Sequence, residues 1–194
     1  MIAKAERALV TGIVALVLTS CAATPAAAPP TATPETHDHP APTDQAEVEL
    51  AAAAEATQSF AEVGVAESAG YASTAADLGC FHNAESGGMG LHWLRTDLLD
   101  ADLDPLTPEA LVYELGEDGE PIALVAHEYI VPVDAWDSAE PPELFGTQLH
   151  QHAVLPLWVL HAWVYRDNPS GMFADFNPDV AMCPDGVKVF GAEG

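Results

Sequence analysis

The pattern of apolar and polar positions divides the chain into four stretches that behave differently. Residues 8–18 are almost continuously apolar and follow two cations, Lys4 and Arg7. That run falls short of the roughly 20 apolar residues a bilayer span needs. Residues 22–43 have no period at all and consist largely of Ala, Pro and Thr. Residues 44–68 are rich in Ala and Glu and free of Pro, which predicts a helix with its N-cap at Thr43 or Asp44. Phe60 and Val63, at helical spacing, are its expected docking contacts, and Gly70-Tyr71 its expected end.

Beyond Cys80 the pattern becomes strand-like. Gly87-Gly88-Met89-Gly90 leads into a short strand over residues 91–94, and residues 111–115 read as a second. Glu117-Asp118-Gly119-Glu120 has hairpin chemistry, with the returning strand over residues 122–133. Pro132 belongs at the end of pairing or at an edge. Residues 134–151 read as loop, and residues 155–165 as the last long strand. The runs 122–131 and 157–165 are apolar on both faces, so the sheet is either covered twice or curled into a partial barrel. The connections look like hairpins and loops. The expected fold is therefore α+β, mainly an antiparallel sheet with an N-terminal helix.

The first stretch has the layout of a secretory signal, and Leu18-Thr19-Ser20-Cys21 resembles the lipobox of bacterial lipoproteins. The resemblance implies a lipid on Cys21, which becomes the N-terminus anchored in the bilayer. Three segments follow: a signal peptide over 1–20, a lipidated Cys21 with a Pro-rich tether over 21–43, and one α+β domain over 44–194. The location this implies is extracytoplasmic, on the bacterial cell membrane.

Charge narrows the partners. The chain carries 30 acidic residues against 5 basic ones, a formal net charge of -25. Past the signal only Arg95, Arg166 and Lys188 are basic. Nucleic acid is excluded as a partner, and so are anionic headgroups apart from the lipid anchor itself. The same field gathers divalent cations, although solubility alone would also account for it. With Cys21 assigned to the lipid, Cys80 and Cys183 form an even pair, which favours a disulfide outside the cytoplasm. Metal ligation through Cys80-Phe81-His82 is the competing use.

Three strand candidates each hold an ionisable residue among apolar neighbours: His92, Glu128 and His161. A buried carboxylate is costly unless paired or coordinated, so Glu128 is the most demanding. Adjacent strands lie about 4.8 Å apart, close enough for side chains on one face to meet at a single ion. Two imidazoles and a carboxylate suit zinc, iron or manganese with positions left open. The alternative is three core residues satisfied by ordinary hydrogen bonds. Successive strand residues face opposite ways, so His127 and Glu128 cannot both join one site; Glu128 is chosen and His127 held in reserve. His150-Gln151-His152, if extended, would put two more imidazoles on one face. No nucleophile elbow, phosphate loop or His-Glu-x-x-His occurs.

Several runs carry a wider likeness. These are Gly88-Met89-Gly90-Leu91-His92, Pro108-Glu109-Ala110-Leu111-Val112-Tyr113-Glu114, Leu144-Phe145-Gly146, Leu160-His161-Ala162-Trp163, Asn168-Pro169-Ser170-Gly171-Met172-Phe173 and Phe176-Asn177-Pro178. Together they resemble an uncharacterised family of secreted and lipoprotein bacterial domains, over roughly residues 60–183. The resemblance implies that Cys80, His92, Glu128, His161 and Cys183 are regular features, and it supplies no activity. Two functions are thus expected: a membrane-anchored lipoprotein with a divalent-metal site, or a metal-free envelope module that binds a small ligand or a protein. Neither decides whether the protein is an enzyme.

Overall fold

The computed structural model describes residues 41–191. The expected signal run, Cys21 and most of the tether lie outside these residues. Thr43 caps helix α1 (Asp44–Thr57), its hydroxyl accepting from the Ala46 amide at 3.2 Å. The expected single helix is broken. A 3₁₀ turn (Gln58–Ala61) intervenes before α2 (Val63–Ser68), with Glu62 in an extended conformation between them. Tertiary bonds supply the reason. Thr57 Oγ1 donates to Ala53 O and lies 2.8 Å from His127 Nε2, while Tyr113 donates to Phe60 O. Phe60 and Val63 do dock on the core, joined by Ala46, Leu50 and Ala66.

The strands are β1 (Ala72–Ser73), β2 (Phe81–Asn83), β3 (Gly87–Leu94), β4 (Ala110–Leu115), β5 (Pro121–Pro132), β6 (Glu143–Leu144), β7 (Thr147–Gln148), β8 (His150–Gln151) and β9 (Leu157–Ala162). The main sheet runs in the order β1-β3-β4-β5-β9-β8, with β2 also paired to β3, and each of these strand pairs is antiparallel. It does not close into a barrel. It is instead covered on both faces, the first of the two expected solutions. One face, bearing Leu91, Trp93, Leu111, Tyr113, Tyr129 and Leu160, packs on the helices. The other is covered by Phe81 and by aromatic residues of the C-terminal segment, Phe176 and Phe190.

Three departures from the expected strands have identifiable causes. Strand β3 starts at Gly87, before the apolar run, because the C-terminal segment passes so near that a Cβ on Gly88 would lie 2.2 Å from Ala181 O. Strand β9 stops at Ala162, where the Trp163 amide turns to Met172 O and its indole to Ala174 O. The expected loop over 134–151 contains the β6–β7 hairpin and β8. Phe145 (φ 55°) and Gly146 (φ 70°) form the hairpin's turn, as a type I′ turn requires, with the Phe145 ring buried against Tyr129 and Phe173. Pro132 ends β5, as its missing amide dictates.

Cys80 and Cys183 are bonded, with Cα atoms 5.9 Å apart. His82 does not share a metal with Cys80; its Nδ1 accepts the Cys183 amide at 3.1 Å. A second clasp holds the same segment: Glu114 takes Arg166 Nη2 at 2.8 Å on one oxygen and the Ala181 amide at 2.9 Å on the other.

Candidate metal centre

Register brings the three ionisable strand residues together. His92 on β3 pairs with Val112 on β4, Ala110 on β4 pairs with Glu128 on β5, and Glu128 pairs with His161 on β9. Cross-strand partners and alternate residues share a face, so His92, Ala110, Glu128 and His161 all project to the side away from the helices. β4 lies between His92 and Glu128, a gap of about 10 Å at the usual strand spacing. On that face it contributes Val112 opposite His92 and, opposite Glu128, the buried Ala110, which offers only a methyl. Two long side chains therefore meet above it.

His92 Nε2 lies 3.2 Å from Glu128 Oε2, and His161 Nε2 lies 3.7 Å from Glu128 Oε1. The three residues are buried, and one donor atom from each falls within 4.8 Å of the others, an arrangement able to hold a metal ion. Bonds of ~2.0–2.2 Å to one ion put tetrahedral donors about 3.4 Å apart, which these separations bracket. The contacts are close in distance but are not aligned as hydrogen bonds: both ring nitrogens of His92 and both of His161 are buried without a hydrogen-bond partner. Each such atom costs about 1–3 kcal/mol if nothing satisfies it.

The groups of the centre set one another's charge. Burial alone would raise the Glu128 carboxyl, but His92 and His161 beside it outweigh burial and hold it at about 2. Burial pushes His161 down, and Glu128 and Asp175 more than offset this, leaving it raised. Asp175 is a site residue that the sequence reading missed. Its Oδ1 lies 3.6 Å from His161 Nδ1 and 3.4 Å from His150 Nε2. Burial would raise its carboxyl, yet these two imidazoles keep it well below the ordinary carboxylate range. With Nδ1 turned to Asp175, His161 presents Nε2 to the site. A carboxylate behind a histidine in this way is the usual means of fixing a metal ligand. The only signal for Asp175 was an acidic residue set among Phe173, Ala174 and Phe176.

The remaining histidines separate. His127 faces the helices, as alternation requires, and burial pushes it down to about 3; it has no part in the centre. His150 pairs with Val159 on β9 and therefore shares the face of His161. His152 lies just beyond β8, where its Nδ1 accepts the Val154 and Leu155 amides and leaves one nitrogen for other use. Both line one cavity of about 250 Å³ with His92, Glu128, His161 and Asp175. They contribute to its walls; they are not members of the trio.

No protein-family model, no curated protein and no solved structure matches this chain. The functional reading therefore rests on the centre's own geometry.

Proposed function

We propose that the domain binds one divalent transition metal through His92, Glu128 and His161, and presents it to the adjoining cavity. The observation that carries this reading is the pair of buried, unsatisfied imidazole nitrogens, His92 Nε2 and His161 Nε2, converging on the ionised Glu128 carboxylate. One ion would satisfy a nitrogen on each ring and neutralise Glu128. Asp175 would hold His161 in the ligating tautomer, and positions facing the cavity would stay open. Zinc, iron and manganese all suit two imidazoles and a carboxylate. When bound, such an ion supplies Lewis acidity or, for iron and manganese, redox chemistry.

The setting we propose is the outer side of a bacterial membrane, with the domain tethered through a lipid on Cys21. The lipobox-like run and the Cys80–Cys183 bond, of a kind that persists in oxidising compartments, support it. A second reading draws on the 3.2 Å His92–Glu128 contact. There the trio shares protons without a metal, and the cavity belongs to a binding module. Thermal melting separates the two. Metal at 100 times its Kd should stabilise the fold by about 2.7 kcal/mol, or roughly 5–11 °C at about 2–4 °C per kcal/mol. A chelator should reverse the gain, whereas an unchanged melting temperature with zinc, iron and manganese favours the proton-sharing module.

A further inference from the structure

The centre lies in the wall of a cavity of about 250 Å³, space for about eight waters at ~30 Å³ each. The rest of that wall is dominated by apolar side chains. Leu94, Ile130, Leu157 and Val159 line it from the sheet, and Phe176 and Phe190 line it from the C-terminal segment. Val154, 65% exposed, also lines the cavity, so the space reaches solvent beside the turn that follows β8. A long apolar wall with polar groups gathered at one place fits a ligand of matching asymmetry.

Charge selects the head group. A divalent ion held by one carboxylate and two neutral imidazoles leaves a local charge of about +1. Asp175 lies one residue removed from the ion, behind His161. One negative charge on the ligand cancels the charge left at the ion itself. A second would be excess, and would also face the field of a chain of net charge -25. Without the ion the wall offers no lysine or arginine to an anion, and its imidazoles at the centre already face Glu128 and Asp175.

Resting on the metal reading above, we infer that the cavity takes small aliphatic monocarboxylates, head group on the ion and tail along the apolar wall. Recognition is then metal-dependent and graded by tail length.

The test uses the untagged protein, its metal content measured first, titrated by calorimetry with straight-chain carboxylates from acetate to octanoate. On the metal-loaded protein, affinity should rise about fourfold per methylene, the factor that ~0.8 kcal/mol per buried CH₂ represents. The rise should stop once the cavity is filled. Ion-free protein should bind none of the series, and hexylamine should not replace hexanoate. Leu157→Trp, at a half-buried wall position, should weaken octanoate at least tenfold more than it weakens acetate. A loaded protein that ignores the carboxylates, or binds them without regard to length, overturns this inference and leaves the metal reading standing. Equal binding with and without the ion places the head group elsewhere and also overturns it. A protein that takes up no metal overturns the reading beneath it.

Discussion

Two carboxylates near the centre behave oppositely, and the difference lies in what each touches. Glu128, between two imidazoles, is held ionised at about 2. Glu109, also buried, accepts the Ile130 amide on Oε2 at 2.9 Å, and burial raises it to about 8, with Asp100 and Glu128 adding to the rise. At neutral pH Glu109 is therefore mostly a protonated acid. A carboxyl whose folded pKa lies above its unfolded value near 4.5 stabilises the fold fully below 4.5, and that contribution is lost as pH rises through 8. Glu109→Gln should flatten the pH dependence of stability between about 4.5 and 8, a difference of the order of a few kcal/mol across that window. Denaturant melts at several pH values read it directly, and equal slopes in both proteins would contradict it. Asp175 gives a second residue-scale prediction. Asp175→Asn should weaken metal binding about 10–100-fold by loosening the His161 tautomer, measured by competition with a chromophoric chelator; unchanged affinity would remove Asp175 from the centre. The trio was legible in the sequence because each member interrupts an apolar strand run. Asp175 was not, since a residue in an irregular turn has no period, and only the tertiary fold decides its burial.

At the scale of elements, the centre depends on what β4 omits. Ala110 lies on the shared face between β3 and β5, and its methyl leaves room for His92 and Glu128 to meet. Ala110→Leu should fill that room, cost about 1–3 kcal/mol from overpacking, and reduce metal affinity by at least tenfold. A variant that melts lower yet binds metal normally would show that the gap is not needed. Ala110 drew no notice as a site position in the sequence, because a small residue in a strand carries no chemistry of its own. The strand cores and the Glu117–Glu120 turn were readable from apolar period and turn residues. Strand ends were not. β9 stops where Trp163 finds partners in the C-terminal segment, and the helix breaks where Thr57 and Phe60 are claimed by sheet residues. Each boundary is set by a bond between residues distant in sequence, which local pattern does not carry.

For the whole described molecule, the long C-terminal segment turns a sheet into a container. It covers the face opposite the helices and is pinned by the Cys80–Cys183 bond, by Glu114 and by the Asn177 amide, which donates to Gly88 O on β3. Turn signals in that segment were visible, but not that it would cover the site, because a cover without regular structure has no periodic mark. Closing a loop of this length stabilises a fold by about 4–5 kcal/mol in the chain-entropy model. Replacing both Cys80 and Cys183 by Ala should therefore cost about 2–5 kcal/mol, read as a melting temperature lower by several degrees. An unchanged melting temperature would contradict that role.

Elemental analysis of untagged protein, exposed to zinc, iron or manganese and then desalted, reads whether the trio holds an ion. A site in the trio gives close to one metal per chain, falling to near zero in both Glu128→Gln and His161→Ala, with His127→Gln retaining the ion. A wild-type protein that keeps none of the three metals, or variants that keep as much as the wild type, would contradict it.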